Sequence, residues 1–411
     1  MPRITTSTLL LIPTAALCIS VLWAASKFRG PLTLSITIPH GVEIHLDTKQ
    51  SIIQVAAPKT PVNPLTHPSQ QPAAAAHLPE PARSINQALN SFSAYESRVQ
   101  KTLARKRARF SQVAALHRTL VDSLGYAAHF TRSEAAASTN SQFAAALSDH
   151  GRALYGMHRA LPSANDVELV DLAFAHLTRD WSDDGAAERV QIFTPIMKAL
   201  KLEFGENTAG LRVLNPGSGL GRLAHEISQQ GYIVDACELD YGSILAYHYL
   251  VNATKSTYDH TLYPYVSNWV HQLNPEARYR PVHIPDVLPD PRVRLVEGDF
   301  LTEFPESASY DAIVTLFFID IGQDIVDFLR NIHRLLKPGG LWINLGPFKW
   351  GSFAHMQLSA EEVLTLAGMI GFDVDHDSRQ SIETLYAHQP ESLLKFTYVT
   401  QFWTAKKALR S

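Results

Sequence analysis

A chain of 411 residues is longer than one hydrophobic core requires, and 45% hydrophobic with 18% charged residues is the composition of a largely globular protein. The formal charge of −3 supplies no electrostatic footprint for nucleic acid. Cys18 lies in an apolar N-terminal run and Cys237 in a predicted buried strand, which argues against a disulfide framework or a cysteine zinc site.

The apolar run covers residues 9–25, broken only by Pro13, Thr14 and Ser20, with Arg3 before it and Lys27 and Arg29 after. At 1.5 Å per residue it sits near the lower limit for spanning a hydrocarbon core. Residues 1–30 therefore read as a single membrane anchor or as a secretory signal cleaved near Trp23-Ala24-Ala25-Ser26, with a buried helix as the third alternative. The sequon Asn252-Ala253-Thr254 does not choose between them, because such triplets are common. Residues 31–83 read as a low-complexity linker. The first part carries short β-prone stretches such as Leu34-Ser35-Ile36-Thr37-Ile38. Residues 56–84 are rich in Pro, Ala, Gln and His, too poor in apolar surface to offset chain entropy.

Residues 84–205 are predicted to be helical. Leu103, Phe110, Val113, Leu116 and Leu120 recur at helical spacing. The basic cluster at residues 105–109 is a solvated helix face, or else a site for a partner or lipid. Helices over residues 166–176 and 188–202 flank Trp181-Ser182-Asp183-Asp184-Gly185.

From residue 211 onward, strands and helices alternate. Strands are predicted at residues 211–214, 232–237, 294–297, 311–319 and 341–345, with a last pair at 372–375 and 396–402. Helices fall at residues 222–230, 325–336 and 360–369. This pattern specifies an α/β domain over residues 206–411, a parallel sheet with helices on both faces. Residues 252–291 are an insertion carrying Tyr258, Tyr263, Tyr265, Trp269, His271 and His283 among prolines. It reads as a cover for a small substrate or as a packed surface loop. His260, His271 and His283 lack tight ligand spacing, so no metal is predicted.

Ligands of open α/β sheets bind beyond the carboxyl ends of the strands. Unusual residues cluster there. The loop Asn215-Pro216-Gly217-Ser218-Gly219-Leu220-Gly221 follows the first strand, Glu238 ends the second, Asp299 the third and Asp320 the fourth. Glu238 stands where an acidic residue grips ribose hydroxyls in nucleotide-binding folds. The spacing of Gly217, Gly219 and Gly221 is G-x-G-x-G, the looser form found in methyltransferases, and not the dinucleotide G-x-G-x-x-G. A pyrophosphate asks for a cation or free helix amides, whereas a sulfonium has no phosphate to hold. With Glu238, Asp299 and the turn Lys337-Pro338-Gly339-Gly340, the loop favours an S-adenosylmethionine site. A dinucleotide oxidoreductase is the alternative, and a plain tight turn explains the glycines alone.

The segments Arg179-Asp180-Trp181-Ser182, Pro216-Gly217-Ser218-Gly219-Leu220-Gly221-Arg222-Leu223-Ala224, Gly298-Asp299-Phe300, Phe317-Phe318-Ile319-Asp320, and Leu336-Lys337-Pro338-Gly339-Gly340 through Trp342-Ile343-Asn344-Leu345-Gly346-Pro347 resemble the carnosine N-methyltransferase family. They occur in order across residues 167–407. The resemblance implies a Rossmann-like class I methyltransferase fold with a mostly parallel seven-stranded sheet, to which the helical periodicity of residues 84–205 adds an N-terminal helical extension. It implies transfer of a methyl group from S-adenosylmethionine to an imidazole nitrogen of carnosine, giving anserine. By resemblance, Arg179 holds the cofactor carboxylate, Glu238 the ribose, and Asp299 with Phe300 the adenine. His176 stands where the family has a glutamine, and Leu316 where it has a cysteine near the adenine. Asp320 matches the aspartate that meets the imidazole, and Tyr398 a substrate-contacting tyrosine. The family histidine after Asn-Leu-Gly-Pro aligns with Gly351, with His355 four residues on.

The residue types suit the chemistry. Methyl transfer is an in-line displacement, so positioning supplies much of the catalysis. Asp320 accepting a hydrogen bond from the imidazole N–H would set the tautomer, stabilise the imidazolium and receive its proton. The alternatives for Asp320 are a helix N-cap for residues 325–336 or a solvated strand-end acid. Tyr398 is equally an ordinary strand aromatic. The expected partner is a small imidazole dipeptide. A protein or peptide histidine, or a non-catalytic cofactor-binding module, stays open as an alternative. The expected placement is an N-terminal membrane anchor at residues 9–25 with the catalytic domain in the cytosol, or else the secretory pathway. The oligomeric state stays open, a homodimer included.

Overall fold

In a computed structural model of the protein, the described residues are 33–38, 42–47, 52–56, 80–157 and 167–409. They fall in two compact units divided after Gln70. The first contains an antiparallel three-stranded sheet of β1 (Thr33–Ile38), β2 (Val42–Asp47) and β3 (Ile52–Ala56). Ile44 in the middle strand pairs with Ile36 on one side and Val55 on the other. The predicted linker at residues 31–83 is thus corrected in its first part. Strict apolar–polar alternation in Val-Glu-Ile-His-Leu-Asp makes strand where composition alone suggested linker. Its last residues also differ, since helix begins at Glu80. The apolar run at residues 9–25 and the Pro/Ala-rich residues 57–79 lie outside the described residues. Among the described residues, no helix is long and apolar enough to cross a membrane.

The second unit starts with α1 (Glu80–Ser93), α2 (Tyr95–Ser111), α3 (Ala115–Asp122) and α4 (Ala128–Leu154). Ile85, Ala88, Leu89 and Phe92 make the buried stripe of α1 and pack with Phe143, Ala144 and Leu147 of α4 in one core. The predicted apolar stripe stops at Phe110. The helix ends at Ser111 and the helical phase is lost, so Leu116 and Leu120 are 71% and 60% exposed.

Next come α5 (Val167–Trp181) and α6 (Ala186–Phe204), then the alternating domain. It runs β4 (Arg212–Pro216), α7 (Arg222–Gln229), β5 (Ile233–Glu238), α8 (Tyr241–Ala253), β6 (His260–Leu262), β7 (Val282–Ile284), β8 (Arg294–Glu297), β9 (Tyr310–Leu316), α9 (Ile325–Leu335), β10 (Leu336–Gly346), α10 (Ala360–Ile370), β11 (Phe372–Leu385) and β12 (Thr397–Lys407). The seven-stranded sheet has the order β11-β12-β10-β9-β4-β5-β8. Only β12 runs against its neighbours. This is the Rossmann-like class I methyltransferase architecture. Ala312, Ile313, Val314 and Thr315 of β9 have no exposed surface, as a strand covered on both faces requires. The chain order reverses at β4, whose neighbours β5 and β9 lie on opposite sides, so the crevice opens at the end of β4.

The insertion is packed. Its β6–β7 hairpin contributes Leu262, Val282 and Ile284 to the core of the helical extension. It also pairs with the turn between β11 and β12 through Leu273 N–H to Glu391 O and Leu393 N–H to His271 O.

Trp181 joins the extension to the glycine loop. Its side chain is fully buried, and its indole N–H donates to Leu220 O at 2.9 Å. Trp181→Phe keeps most of the apolar area but leaves that carbonyl unpaired, so urea unfolding should show a loss of about 1–3 kcal/mol. An unchanged unfolding midpoint would show that the hydrogen bond is not needed.

Candidate active site

The glycine loop turns at left-handed φ angles of 63°, 54° and 73° at Gly217, Gly219 and Gly221. The three positions differ in what lies beside them. A Cβ on Gly217 would come within 2.3 Å of the Phe318 ring, and one on Gly221 within 2.5 Å of the Tyr247 ring. Beside Gly219 the space is open. Gly217 and Gly221 therefore serve close packing, and Gly219 faces the crevice.

Glu238 binds the loop from the next strand. Its Oε2 accepts from Gly219 N–H, and its Oε1 from the N–H groups of Leu239 and Asp240, each at 2.8 Å. Burial raises its carboxyl pKa, and those amides pull the other way. Asp299 is exposed at the end of β8 and accepts from Leu301 N–H. Phe300 is 4% exposed, its ring packed on Phe318 and Phe328. A contact of Phe300 to an adenine would therefore come from its main chain.

At the end of β9, Leu316 and Phe317 line a cavity of about 60 Å³ with Arg179, Glu188, Asn215 and Ser218. The larger grooves of about 670 and 1180 Å³ run along α6 and contain none of Glu238, Asp299 or Asp320. The small cleft is chemically the more specific place. Asn215 Oδ1 and Ser218 Oγ in its lining, and His176 Nδ1 behind Tyr386, are buried with no hydrogen-bond partner among the described residues. Buried polar atoms left idle suit a polar ligand that would serve them. The cleft fits S-adenosylmethionine in donor set.

The C-terminal end of α5 supplies the far wall. Arg179 pairs with Asp180 through Nε and Nη2 at 2.6 and 2.9 Å, which leaves Nη1 outside the pair. Its guanidinium lies 5.5 Å from the ring centre of Tyr386. His176 Nε2 is 3.3 Å from Tyr386 Oη. Tyr386 in turn packs on Phe317 and Tyr398, and Tyr398 on Phe317, at 5.6 to 5.9 Å between centres. Tyr386 was missed by sequence reasoning, as were Asp180 and Glu188. The only signal for Tyr386 is the pairing of Leu385 with Thr397, which carries it to the mouth beside Tyr398. That pairing cannot be read from the sequence of either strand.

Asp320 sits in the 3-10 turn Ile319–Ile321, 5% exposed. Its Oδ2 accepts from Lys349 N–H at 2.8 Å. Burial raises its carboxyl pKa, and the Lys349 amide opposes that. It is neither a solvated acid nor the N-cap of α9, since Asp324 fills the cap by accepting from Val326 N–H. No hydrogen bond joins Asp320 to Tyr398; both are connected to Phe317, one by chain and one by ring contact. A Cβ on Gly351 would lie 2.4 Å from the Phe353 ring. His355 is held by its main chain, its N–H donating to Gln323 O just after Asp320.

The sequence model of the family described as carnosine N-methyltransferase matches residues 157–409. The chain belongs to the carnosine N-methyltransferase family. It is 33% identical over 260 residues to the carnosine N-methyltransferase unmet of Drosophila melanogaster, covering 59% of this chain and 57% of that one. It is 30% identical over 262 residues to the carnosine N-methyltransferase of Rattus norvegicus, covering 60% and 64%. The match thus spans less than two thirds of those relatives. The carnosine N-methyltransferase of Schizosaccharomyces pombe is 26% identical over 361 residues, covering 80% of this chain and 96% of its own. All of the strand-end residues described above lie inside the family match, whereas α1 to α4 lie before it.

His176 carries a testable electrostatic signature. Burial, with Arg179 as a second cause, pushes its pKa down to about 3. An unfolded histidine titrates near 6.5. Between these values the unfolded chain binds more protons, so acidification costs stability there and has no effect through this group above about pH 6.5. His176→Gln should flatten the fall of Tm between about pH 6.5 and pH 4. An equally steep fall in the variant would show that His176 is not its source.

Proposed function

We propose that this chain is an S-adenosylmethionine-dependent N-methyltransferase acting on the imidazole of carnosine or a related histidine-containing dipeptide. The observation that carries the reading is Asp320, a buried carboxylate three residues past Phe317 at the end of β9, within the family match. When bound, S-adenosylmethionine supplies an electrophilic sulfonium methyl group.

The residues divide the remaining work. Gly219 leaves room on the crevice side, and Glu238 holds the loop in that shape. The Nη1 of Arg179 is the donor for the cofactor carboxylate. Phe317, Tyr386 and Tyr398 form an aromatic wall suited to stack a planar ring. Asp320 uses Oδ2 for Lys349 N–H and leaves Oδ1 to accept the imidazole N–H. That bond would select the tautomer with its lone pair toward the methyl group and hold the proton released afterwards. The raised pKa of Asp320 makes it the better proton acceptor.

Incubation with labelled cofactor and carnosine, read by mass spectrometry, should show gain of one methyl group. Asp320→Asn should lower kcat by about 10²–10⁴ while cofactor binding persists. Cofactor binding without product from any histidine dipeptide would refute the substrate. A protein or peptide histidine is the second reading: Gly351 has no side chain where the family has a histidine, and the Phe353 ring takes the adjoining space.

As part of the same proposal, the apolar run at residues 9–25 anchors the chain with its catalytic domain in the cytosol, where the cofactor is made. Tags at both termini, probed with protease on intact membranes, should leave only the N-terminal one protected or embedded. Release of the protein by salt alone would refute the anchor.

A further inference from the structure

The insertion and the helical extension meet in a cluster of aromatic rings that surrounds cations. Trp269 packs against Phe130 at 5.1 Å, Tyr126 at 5.9 Å and His129 at 6.2 Å, and His129 stacks on Tyr279 at 5.8 Å. The Arg278 guanidinium lies 4.7 Å from the centre of Trp269, and Lys106 Nζ lies 5.0 Å from it. None of these residues belongs to the strand-end cleft.

Arg278 is 8% exposed, yet its Nε and Nη1 have no hydrogen-bond partner among the described residues. The buried indole N–H of Trp269 has none either. The nearby carboxylates are already engaged, Glu134 by Arg107 at 2.5 Å and Glu276 by Arg132 at 2.8 and 2.5 Å. Neither Lys106 nor Arg278 has an ion-pair partner among the described residues. Stacking on Trp269 serves the face of the guanidinium. Its N–H groups lie in the guanidinium plane, so contact with the ring face does not serve Nε and Nη1. A buried cation with idle donors is strongly unfavourable unless an anion joins it.

We propose that Lys106, Trp269 and Arg278 form a binding site for a phosphate group, separate from the methyl-transfer cleft. The idle Nε and Nη1 of Arg278 leave opposite edges of the guanidinium, so one of them donates to one oxygen of the anion. Trp269 Nε1 and Lys106 Nζ add donors for the others of a tetrahedral oxyanion, which a carboxylate does not have. Charge agrees. Burial lowers the Lys106 pKa, and Arg278 and Arg109 lower it further, so cations crowd one site and a dianion relieves them together. Of the basic cluster at residues 105–109, Lys106 belongs to this site, while Arg105, Arg107 and Arg109 are exposed.

Thermal unfolding of the full chain in inorganic phosphate, against chloride and acetate at matched ionic strength, tests the site. Phosphate should raise Tm with saturation, and acetate should not. Arg278→Met should unfold at higher temperature without phosphate, because the idle charge is gone, and should lose the phosphate response. Lys106→Gln, at a partly exposed position that keeps the fold, should weaken phosphate binding about tenfold. Flotation with phosphatidylcholine vesicles, with and without phosphatidic acid, separates the sources. Retention that depends on phosphatidic acid and on Lys106 assigns a lipid headgroup. A thermal response without retention assigns a soluble phosphate compound. Equal phosphate responses in wild type and both variants, an acetate response as large, or no binding in either arm would overturn the proposal.

Discussion

Two buried guanidinium groups sharing one carboxylate hold the site together. Asp286 accepts from Arg189 at 2.6 Å and from Arg222 at 2.5 Å. Arg189 also donates to the carbonyls of Arg179 and Ser182, and Arg222 to that of Asp180. The last carbonyls of a helix have no partner within it. Here those at the end of α5 are satisfied by cations from α6 and α7, bridged by an aspartate from the insertion. Removing one member would leave buried charge uncompensated, so the elements hold as a unit.

Everything at the far wall of the cleft follows from that junction. It presents His176 and Arg179 toward Tyr386, and it seats Trp181 against the carbonyl of Leu220 inside the glycine loop. The loop is fixed from the other side by Glu238. The near wall is set independently, by the turn after β9 that buries Phe318 against Gly217 and lines up Phe317 with Tyr386 and Tyr398. A cofactor between the two walls would touch both. The acceptor side is therefore sensitive to the loop at residues 347–358, where Lys349 holds Asp320 and Gly351 leaves its neighbourhood to Phe353.

The two groups of buried cations make an instructive contrast. Around Asp286 every guanidinium finds carboxylates or carbonyls, and the result is structural. Around Trp269 the aromatic faces are used, while its indole N–H and the Nε and Nη1 of Arg278 find no acceptor among the described residues. The same physical rule, that a buried donor needs an acceptor, explains rigidity in the first case and points to a ligand in the second.

Much of this was legible in the sequence, for local reasons. Period-2 and period-3.6 patterns placed β4, β5, β8, β9 and β10 and the helices α7 and α9, whereas α8 and the short strands β6 and β7 of the insertion were not assigned. The strand-end residues Glu238, Asp299 and Asp320 followed from knowing where each strand stops. Patterns failed where they lacked a partner to consult. The stripe through Leu116 and Leu120 had helical spacing but no surface to pack against, and β1 to β3 were hidden in a segment judged by composition. By itself, then, the sequence determined the alternating domain, its glycine loop, the acids at the strand ends and the family. Only the tertiary structure decided that Phe300 packs in the core, that Asp320 is buried and not a helix cap, and that Tyr386 joins Tyr398 at the mouth. It also brought Arg278, far along the chain, beside Lys106. Those facts depend on pairing between distant segments and on which donors find acceptors, and neither is encoded in local periodicity.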